Sequence, residues 1–293
     1  MAVSAPARAC VQVRPISESD VGVVAEFLHM HLNKRVAVTA WVHALDVPWP
    51  GERPNAGFML LDGGSVVGAH LAYYSERSIE GRHERICNLG AWCVLPSYRF
   101  HALRLLKALL AQDGYHFTDL SPSGNVVGLN TRLGFRFLDT STTVVPGFPW
   151  PSRPRRGAVS ADRMLIEQTL DGDVAHIYRD HARTAAARHL VLIRDDEWCY
   201  VMFRKDRRKG LPLFASILHV SNPPLFRAMA GSVACHLLLH HGAAAMLLER
   251  AVVDHRPRLA VVLKTPRRKM FLSPTLEPAQ IDYLYSELVC LPW

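Results

Sequence analysis

The spacing of apolar and polar positions changes along the chain, and each change marks an element. Cys10 to Pro15 reads as a short strand. Ser17 and Asp20 offer capping side chains ahead of VGVVAEFLHMHL, whose apolar residues recur at helical spacing, so an amphipathic helix is predicted there. A second, less regular helix is predicted over Val38 to Leu45. Two β-rich runs, Phe58 to Leu61 and Val66 to Tyr74, flank the turn Asp62-Gly63-Gly64 and predict a hairpin. Ile86 to Val94 is a further strand. Pro96 and Ser97 lead into a helix over 99–112, with leucine or alanine at 102, 103, 105, 106, 109 and 110, and Gly114 ends it. His116 to Leu120 returns as a strand, and Gly124 to Leu133 is a short helix closed by Gly134. The predicted order is β-α-α-β-β-β-α-β-α-β.

Thr143 to Gly157, TVVPGFPWPSRPRRG, holds four prolines, two glycines and three arginines. Proline donates no backbone hydrogen bond and glycine is permissive, so this stretch is expected to be irregular. It falls at mid-chain and sets the expected organisation: a first domain over 1–142, a linker over 143–157 and a second domain over 158–293. The second half repeats the first in outline. A helix is expected over Asp171 to Ala187, and a hairpin from Leu190–Ile193, Asp195-Asp196 and Trp198–Phe203. A strand follows over Phe214–Val220, then a helix from Leu225 to His241 ended by Gly242, and a strand over Ala244–Leu248. Placing Val94 on Val220 brings Gly114 near Gly242, which reads as a tandem duplication.

Composition narrows the class. The chain has 293 residues, 49% of them apolar and 20% charged, which suits two domains with cores and argues against disorder. No apolar run approaches the roughly 18 residues of a membrane span, and the first residues lack a signal-like apolar stretch, so a soluble cytoplasmic protein is expected. Net charge is +8, concentrated in Arg153, Arg155 and Arg156, in Arg204 to Lys209, and in Arg267, Arg268 and Lys269. None of these runs is interleaved with aromatics, so they read as solvated loops or turns, and nucleic acid is not the expected partner. Six cysteines (Cys10, Cys87, Cys93, Cys199, Cys235 and Cys290) show no C-x-x-C pair and are expected to pack as small apolar side chains. His236 and His240 stand at metal-ligand spacing, but Leu237, Leu238 and Leu239 between them favour packing, and no metal is expected.

The element order resembles the GNAT superfamily of acyl-CoA-dependent N-acyltransferases, and local motifs over 11–140 carry the likeness. VRPISESD resembles the family's first strand and helix entry, WCVLPSYR (Trp92 to Arg99) the end of its fourth strand and the start of its pyrophosphate loop, and LGFRFLD (Leu133 to Asp139) its closing strand. The resemblance implies an α/β fold of two GNAT-like domains, each a central mixed twisted sheet flanked by helices. It also implies acetyl-CoA or another acyl-CoA as co-substrate.

A strand that stops before a helix exposes the N–H groups of that helix's first turn, which suit a diphosphate. By resemblance the CoA loop is Arg99-Phe100-His101-Ala102-Leu103-Arg104, preceded by Cys93 and Val94. Arg99 and Ala102 fit the family pattern R-x-x-G-x-G/A, whereas Arg104 stands where glycine or alanine is usual. Amine attack on a thioester needs a base and benefits from an acid. The family's base position on the fourth strand is Asn88, and its tyrosine acid position is Asn130. Neither amide is a base, though both can orient water or bond a thiol; Asn130 also belongs to the cofactor set. Glu84, His83 and His101 are the nearby substitutes, and Cys93 reads as core rather than nucleophile.

In the second half, Ser221 to Arg227 occupies the loop position without glycine and with Pro223-Pro224, so CoA is not expected to bind there in the usual way. That half is expected to complete the acceptor cleft, form a homodimer or support the first half. The resemblance therefore implies a transferase moving an acyl group to an amine or hydroxyl of a small molecule or sugar. A non-catalytic GNAT-fold protein that binds acyl-CoA or another protein is the alternative.

Overall fold

The computed structural model describes residues 11–147, 157–208, 210–253 and 261–292. Cys10, Lys209 and the linker arginines Arg153, Arg155 and Arg156 lie outside them. The first half contributes β1 (Gln12–Pro15), α1 (Val21–His31), α2 (Val38–Leu45), β2 (Gly57–Asp62), β3 (Ser65–Ile79), β4 (Arg82–Val94), α3 (Ala102–Leu110), β5 (His116–Asp119), α4 (Gly124–Arg132) and β6 (Arg136–Phe137). After it come β7 (Thr142–Pro146), β8 (Ala158–Ser160), α5 (Arg163–Thr169), α6 (Gly172–His181), β9 (Ala187–Arg194), β10 (Glu197–Arg208) and β11 (Leu211–Val220). The chain finishes with α7 (Pro223–His241), β12 (Ala245–Glu249), α8 (Arg250–Val253), β13 (Val261–Val262), β14 (Met270–Leu272) and α9 (Glu287–Cys290).

These strands form two mixed seven-stranded sheets, ordered β1-β2-β3-β4-β5-β14-β6 and β13-β7-β12-β11-β10-β9-β8. Helices flank both, so the α/β class expected from the sequence is the observed one. Each sheet has one parallel pair at its centre, β4 with β5 and β11 with β12. A parallel pair needs a crossover, and α3 and α7 supply it at matching places. The internal duplication is thus visible in the topology.

The halves also exchange a strand. β7 follows the first half but pairs with β12 in the second sheet, and β14, from the second half, pairs with β5 in the first. Each exchanged strand lies antiparallel beside the second member of a central parallel pair. The stretch expected to be irregular from Thr143 therefore begins as a strand, because Thr142–Pro146 matches Ala245–Glu249 in register and closes that ladder.

The core spans the boundary between the sheets. One continuous apolar cluster joins Leu28, Trp41, Trp49, Tyr73 and Ala91 of the first half to Tyr200, Met202, Leu288 and Val289 of the second. β3 is buried almost continuously from Val67 to Ser75, as expected for a strand covered on both faces. Among the described residues no helix is long and apolar enough to cross a membrane.

Three expectations need correction. The helix predicted over Asp171–Ala187 stops at His181, because Ala186 donates its N–H to the Val289 carbonyl at 3.0 Å and the chain enters β9 extended. The helix predicted from Arg99 starts at Ala102, since Pro96–His101 forms a 3₁₀ turn. The basic runs are not simply solvated: Arg204 is 2% exposed and Lys269 is 5% exposed, both where the two sheets meet. Lys269 pairs there with the half-buried Glu249 at 2.6 Å, and the buried Asp206 acts on the charge of Arg204 from a longer distance.

Candidate functional site

β4 and β5 run side by side only from Ile86↔His116 to Leu89↔Asp119. Beyond that point β4 continues along β3 to Val94, whereas the chain after Asp119 turns away towards α4. The parting is assisted by a β-bulge. Ala72 faces Leu89 and His70 faces Trp92, so Gly90 and Ala91 together oppose Leu71. The parted strands enclose a cleft of about 400 Å³.

The carboxylates of Asp119 and Glu287 converge on this cleft from different halves of the sequence. Asp119 ends β5, and its Oδ2 accepts a bond from Asn130 Nδ2 at 2.8 Å. Burial pushes its carboxyl up to about 6, against the lowering effect of the bonds from Asn130 and the Ser121 backbone.

Glu287 opens α9, a single turn capped by Ser286. Its backbone N–H donates to Asn88 Oδ1 at 2.9 Å, and Ser121 Oγ donates to its Oε1. Among the described residues Oε2 has no hydrogen-bond partner. Burial first, then the neighbouring Asp119 charge, raise this carboxyl to about 7, although Ser121 and Arg204 pull the other way. A group that titrates near neutrality and keeps a free lone pair at a cleft can take up a proton.

Gly90 permits the approach. A Cβ at this position would lie 2.7 Å from Tyr73 Cε2 and 3.4 Å from Glu287 Oε2. His70 and Trp92 line the same cleft with their rings stacked at 4.4 Å. Burial holds the His70 imidazole down to about 3, so it stays neutral. The cleft therefore presents two carboxyls, a neutral imidazole and an indole, with Arg267 and Arg268 also in its wall.

The C-terminal segment that delivers Glu287 is held along its length. Asp282 receives both terminal nitrogens of Arg77 from β3, and Tyr285 donates its hydroxyl to Asp180 of α6 at 2.7 Å. Arg204 of β10 donates to the Leu288 carbonyl at 3.0 Å. Elements of both halves thus fix one carboxylate.

The structure sorts the residues expected from the sequence. Asn88 and Asn130 are buried behind the cleft rather than in its lining, where they bond to Glu287 and Asp119, which do line it. Glu84 does not join them. It lies near the other end of β4, roughly 20 Å from Gly90 at strand rise, and binds His116 at 2.8 Å and Arg82 at 3.4 Å. His83 lies beside it at that end of β4, paired in register with Ser78.

Cys93 and Val94 end β4, and burial pushes the Cys93 thiol up, away from a thiolate. Arg99, Phe100 and His101 follow in the 3₁₀ turn, with Phe100 77% exposed. Ala102, Leu103 and Arg104 begin α3. Within the turn Tyr98 N–H bonds to Leu95 O and Ala102 N–H to Arg99 O. Arg104 Nη1 donates to the Val11 carbonyl at 2.9 Å. In the second half, Asn222 Oδ1 takes the Leu225 N–H at 3.1 Å, directly after the two prolines that have none to give.

Glu287 was missed by sequence reasoning, although a signal was present. It is a lone carboxylate in the apolar run YLYSELVCL, and an acid flanked by buried positions on both sides must have a partner or a task.

No protein-family model matches the sequence, and no curated protein matches it. Solved structures do match in fold. A GCN5-related N-acetyltransferase of Anabaena variabilis superposes with a TM-score of 0.58 at 11% identity, over 89% of this chain and 72% of that one. A GCN5-related N-acetyltransferase of Kribbella flavida gives 0.53 at 14% identity, over 90% and 71%. The N-myristoyltransferase of Saccharomyces cerevisiae, solved with bound myristoyl-CoA, gives 0.51 at 8% identity, over 92% and 84%. At such identities the likeness establishes the fold, which is the tandem GNAT fold expected from the motifs.

Proposed function

We propose that this protein is an acyltransferase that moves an acyl group from an acyl-CoA, acetyl-CoA being the simplest, to an amine or hydroxyl of a small molecule or sugar. The observation that carries this reading is Glu287: a carboxyl held at the parting of β4 and β5, raised to about 7, with Oε2 unpartnered. The fold supports the reading as well, since one of its solved relatives holds myristoyl-CoA.

The chemistry follows from the placement. Glu287 accepts a proton from the attacking nitrogen or oxygen as the new bond to the thioester carbonyl carbon forms. The C–S bond then breaks, and the same proton is available to the leaving thiolate. Asn88 and Ser121 orient the carboxylate, and Asn130 orients Asp119. The bulge at Gly90–Ala91 takes a residue out of the β-ladder beside the reacting centre, where a backbone N–H can meet the carbonyl oxygen. The CoA side of the cleft is assigned to Cys93, Val94 and Arg99 to Arg104, where the turn after β4 presents a positive side chain in Arg99. Both domains contribute in this proposal: the first supplies the parted strands and the second supplies the base. The free thiols of Cys87, Cys93, Cys199, Cys235 and Cys290 suit a reducing compartment, for which we infer the cytoplasm.

The test is calorimetric titration with CoA and acetyl-CoA, followed by thiol-release assays over a panel of amines and hydroxyls. Saturable binding with turnover that is lost in Glu287→Gln is the expected result. Saturable binding without turnover of any acceptor would instead identify a binding protein of the same fold.

A further inference from the structure

A second cavity, of about 40 Å³, lies where the two sheets meet and adjoins the reaction cleft at Ser121 and Arg267, which line both. Its charged lining consists of Arg204, Arg208, Arg267, Lys269, Asp206 and Glu249. The two carboxylates are already engaged. Glu249 pairs with Lys269 at 2.6 Å and accepts the Tyr283 hydroxyl at 2.6 Å. Asp206 pairs with Arg267 at 3.1 Å and accepts Ser216 Oγ at 2.9 Å.

Four cations thus face two carboxylates in the lining, and among the described residues Arg204 and Arg208 form no ion pair, although Asp206 acts on both charges at longer range and Glu287 on that of Arg204. Arg204 is 2% exposed, and among the described residues only Nη1 of its guanidinium is hydrogen-bonded, to the Leu288 carbonyl, with Nε and Nη2 unpartnered. Arg208 Nε is likewise buried and unpartnered. A guanidinium cannot escape this by losing its proton. Water would satisfy the orphaned N–H groups but not the charge, so the cavity calls for an anion. Its volume, at 10–15 Å³ per water-sized site, admits about three heavy atoms. That is the size of a carboxylate group, and it is small for a phosphate.

The position says where such a group would come from. Leu288, whose carbonyl Arg204 holds, is the residue next to Glu287, and Ser121 and Arg267 line the cavity and the cleft alike. We propose that this cavity receives the carboxylate of the acceptor, so that the preferred acceptor is an amino acid-like molecule with its amine at Glu287 and its carboxylate on Arg204 and Arg208. The inference rests on the acyl-transfer reading for the source of the carboxylate, but not for the existence of the site.

Two measurements on the full-length protein separate these parts. Saturation-transfer NMR with acetate and with inorganic phosphate, at constant ionic strength, reads the site itself. Saturable acetate binding that is lost in Arg204→Gln and in Arg208→Gln is expected, and absence of saturable binding would overturn the proposal. Thiol-release assays with acetyl-CoA then compare β-alanine and 4-aminobutyrate with their neutral amides. The wild type should favour the carboxylates by about tenfold or more in kcat/KM, a preference resting on charge-assisted bonds. The ratio should fall towards one in either variant, mainly through KM. Arg208→Gln serves as the second variant should Arg204→Gln fail to fold. Equal use of carboxylates and amides by the wild type, or phosphate displacing acetate without any such preference, would overturn the acceptor anchor. Acetate binding with no amine acylated at all would leave the carboxylate cavity standing and remove the transfer reading.

Discussion

Asn88 Oδ1 accepts the backbone N–H of Glu287 at 2.9 Å across 199 positions of sequence. The same amide donates to Thr118 Oγ1 at 2.9 Å, so one buried side chain joins β4, β5 and the C-terminal turn. The family resemblance places a base at Asn88. This chain has an amide there, and the amide holds the backbone of the residue that brings a carboxyl to the same cleft. The missing base at 88 and the acid at 287 are two parts of one arrangement.

Glu287→Gln should therefore lower kcat by about 10²–10⁴-fold, the usual range for general acid–base catalysis, with little change in the KM for acyl-CoA. Wild-type kcat/KM should rise with pH through about 7, where Glu287 ionises, and then level off. The variant should lose that limb. Initial rates of thiol release from weakly acidic to weakly alkaline pH check both statements, and an unchanged profile in Glu287→Gln would remove the base assignment.

Stability carries a second signature of the same group. The folded carboxyl of Glu287 titrates near 7, against 4.5 for the ordinary side chain. Between those values the native state holds a proton that the unfolded state has lost, so stability falls as pH rises through the window and is level above it. The integrated loss is on the order of 3 kcal/mol. Glu287→Gln removes the term, so the variant should gain on the wild type as pH rises from about 4.5 to about 7. Urea denaturation at a series of pH values tests this. Parallel curves for the two proteins would show that Glu287 does not titrate in that window.

The first sheet was largely legible because its elements follow local rules: the Asp62-Gly63-Gly64 hairpin, the amphipathic α1 and the leucine face of α3, with Leu105, Leu106 and Leu109 buried. The exchange of β7 and β14 was not. Met270–Leu272 is three residues long and carries no period, and its place is fixed by pairing with Phe117–Asp119, far away in sequence. The site divided in the same way. Asn88 and Asn130 could be named from the family resemblance along the chain, whereas their partners Glu287 and Asp119 are defined by contacts that only the fold creates. Lys269, read as part of a solvated run, is buried because the exchanged β14 draws it between the sheets, where it meets Glu249 and stacks 3.2 Å over the Tyr283 ring.

Gly90 is a direct test of the cleft's geometry. An added Cβ would press on Tyr73 Cε2 at 2.7 Å, within the core shared by β3 and β4, and stand 3.4 Å from Glu287 Oε2. Gly90→Ala should cost about 1–3 kcal/mol, as overpacking does, and should lower activity more than acyl-CoA affinity because the displaced groups sit at the base. Chemical denaturation together with calorimetric titration separates the two effects. A variant with wild-type stability and rate would show that Tyr73 and Glu287 do not approach Gly90 this closely.

The loop proposed for CoA carries two arginines that the structure holds differently. Arg104 spends Nη1 on the Val11 carbonyl at 2.9 Å and stands 3.3 Å from His101 Nδ1, so its side chain is tied to the start of β1. Arg99 is exposed in the 3₁₀ turn after β4, the turn proposed above to meet the diphosphate. An exposed charge contact is worth about 1 kcal/mol or less. Arg99→Ala should then weaken CoA binding by up to about fivefold at low salt, and by less once screening shortens the reach of the charge. Arg104→Ala should leave CoA affinity within about twofold and act on stability instead, through the lost bond to Val11. The double variant should bind CoA as Arg99→Ala does. Titration of all three at two ionic strengths decides the matter, and a larger loss from Arg104→Ala than from Arg99→Ala would place the diphosphate on the helix rather than on the turn.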